Sequence, residues 1–256
     1  MGDLVVQRLR TELAEKQATV DALMEGFQIP DFPVVGGLAF DVLYRPAATL
    51  ERLGGDWYDI FTLPDGRVAF TIGDVCGRGI AAAVKMGQAK QAIKVAASLQ
   101  ANDPMPRAVL DQTNKVIFLN GHHVEFTTAI YGLIDTTNRT VTYASAGHHP
   151  PILAKRGVPP SVMPNHGFPL GVELDLPDLI REHEFSYESR TLLVLYTDGL
   201  IEFNHDADEG EARLLEAARA AVESETSNPA RFIVESVLVN EPQHPDDVAV
   251  MTIFFE

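Results

Sequence analysis

The sequence of 256 residues contains a single cysteine, Cys76, and no long apolar run. One cysteine cannot form a disulfide within the chain, which is typical of proteins that work in a reducing compartment. Because no stretch of about 18 consecutive apolar residues is present, the sequence predicts no membrane-spanning helix. The first residues also lack the basic and apolar regions of a secretory signal peptide. We therefore expect a soluble, cytoplasmic protein.

Basic residues are also scarce, with 20 Lys and Arg against 36 Asp and Glu and a net charge of −16. Such a chain repels polyanions, so we expect neither nucleic acid nor an anionic membrane as a partner. An enzyme acting on a phosphate group needs positive charge at its site, yet no basic cluster lies near the motifs described below. That charge would have to come from bound metal ions.

Residues 5–27 are predicted to form one amphipathic helix. Its heptad positions are filled by Val6, Leu13, Val20 and Phe27, and by Leu9, Lys16 and Leu23 between them. This pattern is compatible with a short coiled coil and equally with a helix that docks on its own domain. Two prolines then end the helix, because proline cannot continue it. We divide the chain into an N-terminal helix and linker, residues 1–33, and one domain, residues 34–256.

From about residue 37, strand and helix patterns come in separate blocks. Runs rich in β-branched and aromatic residues predict strands over 37–45, 57–63, 68–75, 126–134, 140–145, 152–154, 180–187, 191–196 and 248–254. Helical spacing of apolar residues predicts helices over 80–99, 107–120, 211–222 and 229–239. The proline- and glycine-rich residues 156–178 should be largely loop. Segregated blocks favour an α+β fold with antiparallel sheets over a doubly wound parallel sheet.

Four aspartate motifs lie at the ends of the predicted strands. They are GGDWYD with Asp56, GDVCGRG with Asp74, YTDG with Asp198, and the pair Asp246 and Asp247. Any one motif alone is more simply interpreted as a turn. Four such motifs together favour a metal site over simple turns, because a carboxylate beside an apolar strand is costly without a cation. Carboxylates are preferred ligands of Mg²⁺ and Mn²⁺, and two such ions bridged by carboxylate form a standard site for phosphoryl hydrolysis.

These motifs, together with AGHHPP at Ala146–Pro151, resemble the SpoIIE/RsbU branch of the PPM metal-dependent protein phosphatases. The motifs match in order and spacing from about Gly36 to the carboxyl end. The resemblance implies a four-layer αββα sandwich of antiparallel sheets that follows the N-terminal helix. It also implies two divalent cations, Mn²⁺ or Mg²⁺, in a cleft at one edge.

The resemblance also assigns roles to individual residues. Asp56 and Asp74 would be the central metal ligands and would act in catalysis through a metal-activated water. Val75 would add its backbone carbonyl to one ion, and Asp198 and Asp246 would complete the ligands of the other. Asp247 would support these ligands without touching an ion.

Two positions depart from the animal enzymes of this family. Their histidine two residues after the second aspartate is thought to protonate the leaving group, and here it is Cys76, which leaves the general acid open. A catalytic cysteine is not favoured, because Cys76 lacks the arginine spacing of cysteine phosphatases. No residue matches the phosphate-binding arginine of the animal enzymes, and Arg78 is as compatible with a surface role. His148 and His149 are interpreted as structural or as lining the cleft.

The resemblance implies a protein serine/threonine phosphatase. Its substrate would be a phosphorylated STAS-domain anti-anti-sigma factor, in the partner switching that controls sigma factors in bacterial stress responses. Residues 5–27 would form a homodimer or bind an activating protein. Two alternatives stay open, namely a non-catalytic binding module with the same fold and a two-metal hydrolase of a small phosphate ester.

Overall fold

The structure is a computed structural model that describes residues 7, 32–46, 54–100, 105–120, 126–175, 179–239, 241 and 246–256. The helix predicted over residues 5–27 lies outside the described residues, apart from Gln7. Among the helices that the structure does describe, none is both long enough and apolar enough to cross a bilayer.

Ten strands and four α-helices make up the described part of the chain. The strands are β1 (Leu38–Arg45), β2 (Trp57–Thr62), β3 (Val68–Val75), β4 (Thr127–Asp135), β5 (Thr140–Ala146), β6 (Ile152–Lys155), β7 (Val158–Val162), β8 (Glu182–Ser186), β9 (Thr191–Tyr196) and β10 (Val248–Phe255). The helices are α1 (Gly79–Leu99), α2 (Pro106–Asn120), α3 (Ala207–Ser224) and α4 (Pro229–Val237), and a short 3₁₀ turn spans Asp198–Leu200.

The strands form two five-stranded sheets. The first sheet has the order β1-β10-β9-β6-β7 and the second has the order β2-β3-β4-β5-β8. Neighbouring strands are antiparallel in both sheets. The expected α+β fold with antiparallel sheets is confirmed.

Three apolar cores hold four layers together. Helices α1 and α2 cover the second sheet, with Ile93 and Leu110 fully buried beneath them. Helices α3 and α4 cover the first sheet through side chains such as Leu214 and Ile233. The inner faces of the two sheets meet in a third core. Since the central strands are buried on both faces, β3, β9 and β10 are apolar almost throughout. The implied αββα sandwich is confirmed.

The segment 156–178, predicted to be largely loop, contains the strand β7. Its sequence, VPPSV, carries two prolines, which weigh against a strand because they cannot donate to a sheet ladder. Here β7 pairs only with β6 and forms the edge of the first sheet, so its missing donors cost little. Outside β7, the described residues of this segment form no other strand, so the prediction of a largely loop segment is confirmed, and β7 is an exception because composition does not show that a strand lies at an edge.

Candidate metal centre

The antiparallel pairing brings the four aspartate motifs to one edge of the sandwich. Asp56 precedes β2 and Asp74 lies near the end of β3, which are neighbours in the second sheet. Asp198 follows β9 and Asp246 precedes β10, which are neighbours in the first sheet. In an antiparallel pair, the start of one strand lies beside the end of the other. Each sheet therefore contributes two motifs to the site.

A hydrogen bond from Thr197 to Asp56 joins the two halves. The Thr197 hydroxyl donates to Oδ2 of Asp56 at 2.7 Å, although the two residues belong to different sheets. The hydroxyl oxygen of Thr197 also accepts the backbone N–H of Ala249 at 2.9 Å. Asp56 is only 5% exposed, and this hydroxyl gives its carboxyl group a fixed orientation. Sequence reasoning missed Thr197, whose only signal was its place beside Asp198.

Asp74 and Val75 face the same space beside Gly55. A Cβ added at Gly55 would lie 2.3 Å from the carbonyl oxygen of Val75 and 2.9 Å from Oδ1 of Asp74. The backbone N–H of Val75 donates to the carbonyl of Gly55 at 3.2 Å, which holds the two segments together. Only a residue without a side chain leaves this space open at position 55.

Asp247 packs against the first aspartate motif from the opposite sheet. A Cβ at Gly54 would lie 1.7 Å from its Oδ2 atom, and a Cβ at Gly199 would lie 2.0 Å from its carbonyl oxygen. Its carboxylate also hydrogen-bonds the hydroxyl of Tyr44. Asp247 thus lies 6% exposed between the motifs, where it can position the neighbouring carboxylates. Tyr44 was not singled out in the sequence, because nothing in β1 marks it as facing the site.

Burial and the nearness of other carboxyl groups raise the pKa values of Asp56, Asp74 and Asp198. Burial, and then the charge of Asp74, holds the pKa of Asp56 well above its usual range. Burial, and then the charge of Asp198, raises the pKa of Asp74 to about 7, although a hydrogen bond with Asp56 works in the opposite direction. The pKa of Asp198 is raised by burial and by Asp246. The site therefore favours a positive charge among these groups.

A cavity of about 310 Å³ opens beside these carboxylates. Its lining contains three of the predicted ligands, the backbone that follows Asp74, and both histidines of the AGHHPP motif: Asp74, Val75, Cys76, Gly77, Arg78, Phe126, Thr128, Gly147, His148, His149, Asp198 and Asp246. Asp56 lies behind this lining and is buried. Arg78 donates from Nη2 to Oδ2 of Asp246 at 2.9 Å. The cavity thus provides an opening from solvent to the carboxylates.

His148 braces the two sheets from within the cavity wall. Its Nε2 lies 3.0 Å from the carbonyl oxygen of Tyr196, so this nitrogen carries the proton. Its Nδ1 then accepts the hydroxyl of Thr128 at 2.8 Å. Burial, and then the adjacent His149, lower the pKa of His148 to about 3, so the ring stays neutral. This geometry agrees with a structural role for His148.

His149 lies closer to the acidic groups. One ligand atom from each of His149, Asp198 and Glu202 falls within 4.8 Å of the others, an arrangement that could hold a metal ion. The ring of His149 also stacks on Tyr196, with 5.7 Å between the ring centroids. The motif predicted that His149 is structural or lines the cleft, whereas no pattern in the sequence singled out Glu202, four residues after Asp198 along a turn.

The donor set fits hard divalent cations. A carboxylate oxygen of Asp74 and the carbonyl of Val75 face a space that Gly55 leaves free of a side chain, and Asp198 and Asp246 line the same cavity. Among the described residues that line the cavity, Arg78 is the one lysine or arginine. Mg²⁺ and Mn²⁺ prefer oxygen ligands of this kind, and their charge would offset the mutual repulsion of the carboxylates.

Comparisons with known proteins agree with this geometry. A family model described as Stage II sporulation protein E (SpoIIE) matches residues 64–256. Phosphoserine phosphatase RsbU of Bacillus subtilis is 28% identical over 199 residues, which cover 77% of this chain and 56% of that protein. The chain thus spans about half the length of that protein, and it spans 33% of Protein IcfG from Synechocystis, to which it is 27% identical.

Two solved structures share the fold. The RsbU and RsbW domains of Rv1364c from Mycobacterium tuberculosis superpose with a TM-score of 0.73 at 25% identity, covering 87% of this chain and 62% of that one. The SiaA-PP2C domain of Pseudomonas aeruginosa superposes with a TM-score of 0.75 at 18% identity over 98% of both chains. At that identity, the second likeness shows the fold alone.

Proposed function

Because the chain belongs to the SpoIIE family, with the fold of the PPM-type phosphatases, we propose that it is a protein serine/threonine phosphatase dependent on two divalent cations, Mn²⁺ or Mg²⁺. The observation that carries this proposal is the meeting of aspartates from both sheets beside one cavity. A structural turn needs no such convergence. Four carboxylates gathered at a partly buried place are costly unless cations balance them.

The proposed ligands are the residues that the motifs predict. Asp56, Asp74 and the carbonyl of Val75 would hold the ions from the second sheet, and Asp198 and Asp246 would hold them from the first. When bound, the cations would polarise the phosphoryl group and lower the pKa of a water molecule so that it can attack phosphorus at neutral pH.

The other residues of the site orient these ligands. Thr197 donates to one oxygen of Asp56 and so fixes the orientation of this carboxyl group. Asp247, held by Tyr44 and packed on Gly54, supports the ligands from behind. Such supporting groups strongly affect the affinity of metal sites in proteins.

For the substrate, we propose a phosphorylated STAS-domain anti-anti-sigma factor. The similarity to a protein named phosphoserine phosphatase RsbU supports phosphoserine as the target. The structure that contains both RsbU and RsbW domains supports a place in partner switching that controls sigma factors under stress. The overall charge of −16 weighs against a nucleic acid as the substrate.

The decisive experiment measures phosphate release from a phosphorylated STAS-domain protein with and without Mn²⁺. We expect release only with the metal, and a loss of about 1000-fold or more in Asp74→Asn, because metal catalysis supplies several kcal/mol of transition-state stabilisation. Asp65→Asn is the matched control, since Asp65 lies in the hairpin turn at the opposite end of β2 and β3. Equal rates for the wild type and Asp74→Asn would end the proposal.

The same assay separates the alternatives. A two-metal hydrolase of small esters would turn over p-nitrophenyl phosphate quickly and show no preference for the phosphoprotein. A non-catalytic binding module would release no phosphate from either substrate, whether or not calorimetry detects Mn²⁺ binding. A phosphoprotein preference combined with Mn²⁺ binding supports the phosphatase.

Residues 5–27 are proposed to form a homodimer or to bind an activating protein. Their heptad pattern of apolar residues supports this role. Light scattering after size exclusion should give a lower mass for a chain that starts near residue 30 if these residues form the dimer. If they bind an activator instead, the shortened chain should lose stimulation by that protein. An unchanged mass together with unchanged regulation would contradict both forms of the proposal.

A further inference from the structure

Arg78 lies at the mouth of the cavity, directly before α1. Its guanidinium lines the same wall as Asp74, Asp198 and Asp246 and forms an ion pair with Asp246 at 2.9 Å. The side chain is 58% exposed and that of Asp246 is 39% exposed. Arg78 is therefore within reach of both the carboxylates and any group that enters from solvent.

The charge balance of the site requires a positively charged side chain to bind an incoming phosphate group. The four proposed ligand carboxylates carry as many negative charges as two divalent cations carry positive ones. Asp247 adds a further carboxylate, so the cations leave no excess of positive charge for an incoming phosphate dianion. A chain with a net charge of −16 also repels that dianion at longer range. Arg78 is the one lysine or arginine along the described lining that can offset this repulsion.

The ion pair with Asp246 does not prevent Arg78 from binding another anion. Ion pairs at exposed positions contribute only about 0–1 kcal/mol, so the guanidinium can leave Asp246 at little cost. A guanidinium can bind two phosphate oxygens through parallel N–H donors. The half-exposed contact of Arg78 with the Asp246 carboxylate joins one nitrogen to one oxygen and does not use this geometry.

We propose that Arg78 is the substrate-binding residue that receives the phosphate group of phosphoserine at the mouth of the cavity. This assignment rests on the proposed function. It gives Arg78 a direct contact with substrate and makes its ion pair with Asp246 the resting arrangement of the side chain.

The test measures equilibrium binding without turnover. The probe is a fluorescein-labelled peptide that carries a non-hydrolysable phosphonate analogue of phosphoserine, and its anisotropy is followed with the full chain and Mn²⁺. Arg78→Gln should weaken binding by about tenfold, the loss expected for one charge-assisted hydrogen-bonding contact. Arg78→Lys should keep part of the affinity, because it retains the charge but not the fork of donors.

Arg219→Gln is the matched control. It removes the same charge from the molecule, but Arg219 lies on α3 and pairs with Glu216 and Glu223 on its own helix. The affinity of Arg219→Gln for the peptide should equal that of the wild type. In steady-state assays with the phosphoprotein, Arg78→Gln should raise KM about tenfold and change kcat by less than about threefold.

Calorimetric titration with Mn²⁺ distinguishes substrate binding from a role confined to Asp246. The Arg78 guanidinium competes with Mn²⁺ for the carboxylate of Asp246. Arg78→Gln should therefore bind Mn²⁺ with an affinity equal to or higher than that of the wild type. Unchanged peptide binding in Arg78→Gln overturns the assignment, as does a loss that tracks a weaker Mn²⁺ affinity. If the wild type binds Mn²⁺ but not the peptide, the proposed function fails and the assignment fails with it.

Discussion

The carboxyl groups of Asp56 and Asp74 are hydrogen-bonded to each other in a largely buried place. Two carboxylates this close cannot both carry a full charge unless a cation joins them. Folding therefore works against the local electrostatics here, as expected where a site is arranged for a ligand and not for the stability of the chain.

Replacing Asp74 by Asn should stabilise the metal-free chain at high pH. The folded pKa of Asp74 is about 7, above its unfolded value near 4. Its contribution to stability is therefore fully present below about pH 4 and is lost as the pH rises to about 7. At pH 8, Asp74→Asn should exceed the wild type by about 4 kcal/mol in free energy of unfolding, and at pH 4 the two should agree.

Urea unfolding after chelation, repeated across this pH range, would check this prediction. The comparison between variants is needed because His148, with its pKa lowered to about 3, contributes the opposite slope between pH 3 and 6.5 in both chains. Asp65→Asn, in the distant hairpin turn, should show no gain at pH 8. A wild type as stable as Asp74→Asn at pH 8 would contradict the prediction.

Gly54→Ala should weaken metal binding without touching a proposed ligand. The new methyl group would lie 1.7 Å from Oδ2 of Asp247, so that carboxylate and its bond with Tyr44 must move. We expect a loss of Mn²⁺ affinity of about tenfold to hundredfold, as for other groups that support metal ligands. Gly36→Ala has nothing within 4 Å of its new methyl and serves as the control in the same calorimetric titration.

The aspartates could be predicted from the sequence, but the residues that orient them could not. Aspartates after apolar strands form a repeated local pattern, so each one is visible along the chain. Thr197 and Tyr44 are ordinary residues in the sequence, and their roles follow from contacts with Asp56 and Asp247 on the other sheet or another strand. A contact across 141 residues leaves no mark on local composition.

At the scale of elements, strand pairing accounts for what could be predicted of the fold. The segregation of strand and helix patterns into separate blocks predicted antiparallel sheets, and most strand positions agree with the structure. The exceptions depend on tertiary context. Strand β7 forms only because an edge accepts its prolines, and α3 begins four residues before its predicted start because the Asp206 side chain accepts the N–H of Glu209.

Helix α1 is tied to β2 by a shared ion pair, which makes a prediction about stability. Asp59 is 1% exposed, and the Nζ atoms of Lys90 and Lys94 lie 3.9 Å and 3.6 Å from its Oδ2. Either lysine can balance the buried carboxylate, so Lys90→Met and Lys94→Met should each cost about 1 kcal/mol. The double variant should lose about 3 kcal/mol or more, because the buried charge is then uncompensated.

A double-mutant cycle from urea unfolding measures this coupling. Lys115→Met is the control, since it breaks a partly exposed pair with Asp111 and should cost less than about 1 kcal/mol. Strictly additive losses for the two lysines would contradict this prediction, because they would show that neither lysine compensates for the loss of the other.

At the scale of the whole molecule, bound cations should stabilise the fold by mass action. A ligand present at about 100 times its Kd adds about 2.7 kcal/mol to the free energy of unfolding. The melting temperature should therefore rise with Mn²⁺ in the wild type and much less in Asp74→Asn. Sodium chloride at equal ionic strength is the control, because a chain with a net charge of −16 is also stabilised by simple screening.

The division of the proposed ligands between the two sheets has a mechanical consequence. Two carboxylates and the Val75 carbonyl come from the ends of β2 and β3, and two carboxylates come from the ends of β9 and β10. The hydrogen bond from Thr197 to Asp56 crosses between the two sheets. Ions held there would link the two sheets, so sliding one sheet past the other would disrupt the coordination of the ions. The affinity for the ions thus depends on how the two sheets are aligned. A force on either outer helical layer would change this affinity from a distance.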